Sequence, residues 1–193
     1  MTYFFIPQIK NQALPSSLLR KLSKIVSNGK KIETKDAYQR FLKSLISEIK
    51  QNPPASKTSK NFKNELLQIA KAKPLTEKTP WGGVALKKVD VAKNFIQKLL
   101  VIKNYGILGF EIHKNKLEKL QVLEGFCLVL FSNHNSKDWQ RGKVIVKLAK
   151  AADKFEFLPG DEHGIIALSD CIIEETSTNH LEDLIYIFRS DQV

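Results

Sequence analysis

Residues 113–125 read HKNKLEKLQVLEG, and this stretch decides the fold of the chain together with LPGDEHG at residues 158–164. At the two-residue period of a β-strand, Glu111, His113 and Asn115 lie on one face, because successive side chains alternate across a strand. Three polar side chains on one strand face indicate that this face lines water or a binding site.

A second strand is predicted directly after the first. Lys116 lies in a turn, Glu118 opens the strand, and residues 120–123 are apolar enough to be buried. Gly125 can adopt a positive φ, which ends the strand.

Residues 158–164 predict a turn and the start of a further strand. They follow the strand-like residues 155–157 and carry proline and glycine at turn positions, with His163 at the beginning of the next strand. We expect this strand to enter the same small β-barrel as the earlier stretch.

At these residues the chain resembles the cupin superfamily, and within it the mannose-6-phosphate isomerase domain of the type often fused to mannose-1-phosphate guanylyltransferase. The first motif of that family, His-x-His-Arg-x-Glu-His-Trp-x-Val-x-x-Gly, aligns without a gap with residues 113–125, with Asn115 at the second histidine and Lys116 at the arginine. The second motif ends Pro-x-Gly-x-x-His, and LPGDEH is similar to it at Gly160 and His163, with the proline displaced by one position.

Two further segments extend the resemblance over about residues 79–190. TPWGG at residues 79–83 is similar to the Arg-Pro-Trp-Gly entry of the family, with Thr79 in place of the arginine. LEDLIYIFR at residues 181–189 is similar to the acidic, apolar strand that ends such domains. The resemblance implies a mostly β C-terminal cupin, which is a double-stranded β-helix or jelly-roll barrel.

Length and charge fit one barrel with an N-terminal addition. A chain of 193 residues is long enough for one core and too short for two large domains. Residues 1–75 hold 15 Lys and Arg against 4 Asp and Glu, whereas residues 76–193 hold 16 of each. We therefore divide the chain into a basic helical N-terminal region at residues 1–75 and a cupin barrel at residues 76–193.

The N-terminal region predicts three helices. The first begins at Ser16 or Ser17 and stops at Asn28-Gly29, and the second begins near Thr34. A polar segment with two prolines at residues 51–59 ends the second helix, and a third starts at its last residue.

Two interpretations of the basic charge remain open. Clustered lysines neutralise phosphates, so residues 1–75 are a candidate surface for nucleic acid or an acidic partner. The other interpretation is a solvated face on helices that pack over the barrel or over a second copy of it. We favour the solvated face, because the lysines are scattered through all three helices without an arginine-rich segment.

Cysteine content and the absence of targeting signals predict a cytoplasmic protein. Cys127 and Cys171 both lie in apolar, strand-like runs, which indicates buried free thiols in a reducing compartment. The first ten residues do not have the pattern of a secretory signal, and no apolar run approaches the ~20 residues that span a bilayer. We therefore expect no contact with a membrane.

The candidate metal ligands are Glu111, His113, Glu118 and His163, with Asn115 as an additional candidate. Two histidines with one or two carboxylates suit a divalent transition metal such as Zn, Fe, Mn or Ni. An amide oxygen is a poorer ligand than imidazole, so loss of the metal is the alternative. His134 and His180 lie in polar, loop-like contexts and are predicted as surface residues.

The resemblance implies aldose-ketose isomerisation of a sugar phosphate at a metal. Glu118 or Glu111 would then carry the proton, and Lys116 would meet the phosphate as a point charge. Whether the protein is an enzyme stays open, because the alternative is a non-catalytic cupin that binds a sugar or another small ligand. Cupin barrels often pair, so we also expect a homodimer.

Overall fold

The computed structural model describes residues 4–9, 14–28, 32–53, 58–71, 76–132, 143–180 and 182–193. These residues form three helices and twelve strands. In chain order they are β1 (Phe4–Gln8), α1 (Ser16–Asn28), α2 (Lys35–Gln51), α3 (Lys60–Lys71), β2 (Thr76–Thr79), β3 (Gly82–Asp90), β4 (Phe95–Ile102), β5 (Ile107–His113), β6 (Glu118–Glu124), β7 (Phe126–Phe131), β8 (Lys143–Lys150), β9 (Lys154–Phe157), β10 (Glu162–Ala167), β11 (Cys171–Ser177) and β12 (Leu184–Phe188).

The strands form two six-stranded sheets with the connectivity of a jelly roll. Sheet I has the order β1-β8-β7-β10-β5-β12, and sheet II has the order β2-β3-β4-β11-β6-β9. The eight consecutive strands β4 to β11 are divided between the sheets as β5-β10-β7-β8 and β4-β11-β6-β9, which is the order of two interlocked Greek keys. The predicted fold, a jelly-roll barrel with a helical N-terminal segment, is confirmed.

Apolar side chains fill the space between the sheets and also cover the outside of sheet I. Along β7, Cys127 and Val129 face sheet II, whereas Leu128 and Leu130 face the helices. A strand buried on both faces needs an uninterrupted apolar sequence, and FCLVLF is such a run.

The helices cover the outer faces of both sheets. α1 and α2 share one hydrophobic cluster with the outer face of sheet I, and this cluster includes Leu18, Leu42, Phe110 and Phe188. α3 packs on the outer face of sheet II through Phe62 and Ile69. The N-terminal region and the barrel therefore share buried apolar surface.

Two of the three predicted helix starts are confirmed by their caps, and α1 begins at Ser16, one of the two predicted positions. The backbone N–H of Ala37 donates to Thr34 Oγ1 at 3.1 Å. The N–H of Phe62 donates to Ser59 Oγ at 2.9 Å. Such bonds satisfy donors that the first turn of a helix leaves unpaired. Gly29, the predicted stop after α1, lies outside the described residues.

The sequence did not predict β1, which begins the N-terminal region with a strand. β1 pairs in parallel with β8, in register from Phe4 with Lys143 to Gln8 with Lys147. β1 is an edge strand, where the missing N–H of Pro7 is tolerated. No helix in the described part of the chain is long and apolar enough to cross a membrane.

A buried hydrogen bond connects α2 to the strand that carries His163. Tyr38 is fully buried, and its hydroxyl donates to Glu162 Oε1 at 2.6 Å. Burial raises the pKa of Glu162 to about 7, although the hydrogen bond from Tyr38 opposes this shift. Because side chains alternate along β10, Glu162 faces the helices and His163 faces the barrel interior.

Replacement of Tyr38 by phenylalanine removes the donor and leaves a buried carboxyl group without it. We expect Tyr38→Phe to lower the free energy of unfolding by about 1–3 kcal/mol, the usual effect of losing one partner of a buried pair. Urea unfolding of Tyr38→Phe, Glu162→Gln and the double variant measures the coupling between the two side chains. If Tyr38→Phe lowers the free energy of unfolding equally in the wild type and in Glu162→Gln, the two side chains are not coupled, which would contradict this hydrogen bond.

Glu162 also makes stability depend on pH. Its pKa in the folded protein, about 7, lies above the ordinary value of 4.5, so the folded state holds the proton more tightly than the unfolded state does. The contribution of Glu162 to stability is therefore greatest below pH ~4.5 and is lost as pH rises through ~7. Unfolding measurements on both proteins across this pH range should show that Glu162→Gln loses less stability than the wild type as the pH rises. A pH profile of stability that is the same in the variant and the wild type would exclude this assignment.

Candidate metal centre

Three strands bring four of the predicted ligands to one end of the barrel. β5 carries Glu111 and His113, and Glu111 is the register partner of His163 on β10. Glu118 begins β6 in the opposite sheet. The jelly-roll order therefore places side chains from both sheets in one cluster.

Two imidazoles and two carboxylates face one another in this cluster. His113 Nε2 lies 3.6 Å from Glu111 Oε1 and 3.5 Å from Glu118 Oε2. His163 Nε2 lies 3.7 Å from Glu111 Oε1 and 3.5 Å from Glu118 Oε1. Each separation is longer than the 2.7–3.2 Å of an ordinary N–H···O bond.

The two Nε2 atoms are buried and make no hydrogen bond in the described structure. The ligand atoms of Glu111, His113 and His163 lie within 4.8 Å of one another. Ligands on one zinc ion sit at about 2.0–2.2 Å from it, which places them about 3–4 Å apart. The residues present thus fit a single divalent ion, and Glu118 offers a fourth oxygen.

Other side chains fix the orientation of both rings. His113 Nδ1 lies 3.0 Å from Asp183 Oδ1, and a carboxylate can only accept, so Nδ1 carries a proton and Nε2 is the nitrogen that faces the cluster. Asp183 also accepts from the backbone N–H of Asn115 and of Lys116. His163 stacks on Phe157 with ring centroids 4.3 Å apart.

The pKa values of the cluster reflect its mixture of charges. Burial lowers the pKa of His113, but the nearby carboxylates of Glu111 and Glu118 outweigh it and raise the pKa to about 9, so the ring is protonated near neutral pH unless a metal ion takes the place of the Nε2 proton. Burial likewise opposes the rise in the pKa of His163, which Glu118 causes. For Glu118, burial raises the pKa, but the two histidines and Lys116 hold it well below the usual range.

Lys116 is buried between two carboxylates. Its Nζ contacts Glu118 Oε2 and lies 2.8 Å from Glu175 Oε1. Burial lowers the pKa of Lys116, but the two carboxylates raise it by more than burial lowers it. The amine therefore stays charged. Glu175 also pairs with Lys98 at 3.1 Å. The predicted role of Lys116 as a phosphate contact is therefore poorly supported, because its amine is already paired with two carboxylates.

Asn115 does not join the cluster. β5 ends at His113, so the two-residue period that placed Asn115 on the same face does not continue through the turn. Asn115 is exposed, and its backbone N–H donates to Asp183 Oδ2. The interpretation of Asn115 as a ligand is wrong for this geometric reason.

The sequence did not point to Asp183, Glu175 or Phe157 as members of the site. Asp183 lies in the segment that resembles the acidic final strand of the family, which was the one available signal for it. Glu175 and Phe157 lie in ordinary strand sequences, and their roles depend on which strands become neighbours.

An open cleft of about 1070 Å³ leads to the cluster. Glu111 and His113 line it, together with the aromatic side chains of Trp81 and Tyr186. Basic residues also line the cleft, among them Lys98, His180 and Arg189. His180, which the sequence predicted as a surface residue, is half-buried on the cleft wall, whereas His134 lies outside the described residues.

No protein-family model matches this chain, and no curated protein matches it. Solved structures do match in fold. An oxalate decarboxylase of Lactobacillus farciminis has a TM-score of 0.47 at 18% identity, over 57% of this chain and 32% of that one. KdgF from Halomonas sp. has a TM-score of 0.45 at 14% identity, over 55% and 86% of the two chains.

An RmlC-like cupin from Shewanella frigidimarina has a TM-score of 0.46 at 16% identity, over 57% of this chain and 88% of that one. The chain thus spans about a third of the oxalate decarboxylase and most of the two smaller proteins. These values are too low to indicate a shared reaction or ligand, and the strand order itself carries the fold assignment.

Replacement of Asp183 by asparagine should weaken metal binding. The amide can no longer hold the Nδ1 proton as a carboxylate does, and loss of such a support typically reduces metal affinity about 10–100-fold. Competition titration with a zinc chelator measures the effect. Asp153→Asn is the matched control, since Asp153 caps the turn before β9 through the Lys150 N–H and lies outside the cluster. Equal affinities of Asp183→Asn and the control would contradict this role.

Proposed function

We propose that the protein binds a divalent transition metal through Glu111, His113 and His163, with Glu118 as a fourth ligand. The observation that carries this proposal is the pair of buried Nε2 atoms that make no hydrogen bond among the described residues and face two carboxylates at 3.5–3.7 Å. A buried polar atom without a partner is unfavourable, and a metal ion would satisfy both nitrogens at once.

The donor set suits Zn, Fe, Mn or Ni. Two imidazoles with one carboxylate leave coordination positions open for another ligand. When bound, such an ion would polarise an oxygen of a small molecule in the cleft. The cleft side of the cluster, lined by Glu111 and His113, is where that ligand would approach.

We further propose that the ligand is small, anionic and rich in oxygen, as a sugar phosphate is. Trp81 and Tyr186 offer aromatic faces, and Arg189 supplies positive charge, whereas the amine of Lys98 is already paired with Glu175. The resemblance of two motifs to mannose-6-phosphate isomerases supports the narrower proposal of aldose-ketose isomerisation.

Isomerisation needs a group that moves a proton between neighbouring carbons. Glu118 is a weak candidate, because Lys116 and the histidines hold its pKa far below the usual range. Glu111 faces both imidazoles and would be engaged by the metal. His180 lines the cleft and is not part of the cluster, so we assign the proton transfer to His180.

The alternative is a cupin that binds such a ligand without transforming it. The buried Lys116–Glu118–Glu175 network favours this alternative. Lys116 and Glu118 were the predicted catalytic residues, and both are engaged in ion pairs within the network. A homodimer is a further proposal, which light scattering on the purified protein would test.

Elemental analysis of protein purified without a chelator or a histidine tag tests the metal site. We expect about one transition metal per chain, lost in His163→Ala because an imidazole is removed from the cluster. His180→Ala is the matched control, since it removes an imidazole from the cleft wall and should leave the metal content unchanged. No metal in any of the three proteins, even after incubation with zinc, would reject the site.

Proton exchange at C2 of mannose 6-phosphate in D₂O, followed by NMR, tests the isomerase. Metal-loaded protein should catalyse the exchange, and His180→Gln should abolish it while the metal is retained. Saturable binding of mannose 6-phosphate without exchange would favour the non-catalytic alternative.

A further inference from the structure

The outer face of α1 and α2 is strongly basic. Its exposed cations are Arg20, Lys21 and Lys24 on α1 and Lys35, Arg40, Lys43 and Lys50 on α2. The sequence suggested that the positive charge is scattered over three helices. In the structure this charge is divided between two surfaces, because α1 and α2 cover sheet I whereas α3 covers sheet II.

The cations of α2 form a stripe along one side of the helix. Arg40, Lys43, Ser47 and Lys50 follow the spacing of three and four residues that keeps side chains on one helix face. At 1.5 Å per residue this stripe is about 15 Å long. It lies opposite the apolar side of α2 that packs over sheet I.

α1 adds its charge to the same side of the molecule. Both helices bury their apolar faces in the cluster on sheet I, so their polar faces point away from that sheet together. Lys21 joins the helices, since its Nζ lies 2.9 Å from Glu48 Oε1 and 3.3 Å from Asn52 Oδ1. The two basic faces are therefore adjacent.

Little of this charge is neutralised within the protein. Lys21 forms its ion pair with Glu48, and Lys35 lies over the ring of Phe188. Among the described residues, no carboxylate forms an ion pair with the other five cations of this face, Arg20, Lys24, Arg40, Lys43 and Lys50. The two helices carry seven exposed cations against two carboxylates, Asp36 at the start of α2 and Glu48, which pairs with Lys21, so the face keeps an excess of positive charge.

The composition of the face distinguishes among anionic partners. A membrane-binding helix inserts apolar side chains, and a protein interface has an apolar or aromatic centre. The large exposed hydrophobic residues of the described chain are Leu67, Val89, Val91, Leu123, Ile185 and Tyr186, and none of them lies on α1 or α2. A partner with dense phosphates needs no apolar contact, because lysine and arginine bind phosphates directly.

We infer that the outer face of α1 and α2 binds the phosphate backbone of a nucleic acid without reading its sequence. The site is separate from the metal centre, which opens from the barrel interior into a cleft. Binding there is expected to depend on salt and not on metal.

Fluorescence anisotropy with a labelled DNA duplex of about 20 base pairs tests this inference, at salt concentrations from about 50 to 200 mM. The triple variant Arg40→Gln/Lys43→Gln/Lys50→Gln removes the stripe. Lys60→Gln/Lys63→Gln/Lys71→Gln is the matched control, because it removes the same charge from the exposed side of α3 over the other sheet.

We expect the wild-type protein to bind the duplex with an affinity that falls steeply with salt. The stripe variant should bind at least about tenfold more weakly, and its salt slope should be smaller by about one for each phosphate that it no longer neutralises. The control variant should resemble the wild type. Equal weakening in both variants, or no binding by the wild type, would overturn the assignment. Binding to phosphatidylserine vesicles without binding to the duplex would also overturn it, in favour of a membrane partner.

Discussion

The structure depends on how one end of the barrel accommodates buried charge. Glu118 lies between two imidazoles and the amine of Lys116, and Glu175 lies on the far side of that amine. Asp183 supports His113 from behind. Burying ionised groups is unfavourable unless each has a partner, and every charged group here has one. Among the described residues the two Nε2 atoms lie near carboxylates but make no hydrogen bond, and an ion bound between them would give both a ligand bond.

The jelly roll allows this arrangement because its strands have two buried faces. On β10, His163 points into the barrel and its neighbour Glu162 points to the helical layer, where Tyr38 donates to it. The helices therefore do more than cover sheet I, since they provide a partner for a carboxyl group that would otherwise be buried alone. The same helices turn their polar side outward and carry the basic face there.

Local sequence patterns predicted the parts of the structure that local physics determines. Thr34 and Ser59 were recognisable as helix starts, because a cap acts within three residues. His113, Glu118 and His163 were recognisable as one set from two short motifs. Asn115 was misplaced because the strand period was extended beyond its end. The contacts that Glu175 and Asp183 make with the cluster could not be predicted from local patterns, since strand neighbours and segments distant in sequence bring them there.

The central claim is that both imidazoles bind one metal ion, and X-ray absorption spectroscopy of the zinc-loaded protein tests it most directly. The account predicts a first coordination sphere of nitrogen and oxygen, with outer-shell scattering from two imidazole rings. His163→Ala loses its metal during purification, so zinc added to it in excess should show scattering from at most one ring. A spectrum without imidazole scattering, or one that His163→Ala leaves unchanged, would contradict the claim that the two unpartnered nitrogens form a metal centre.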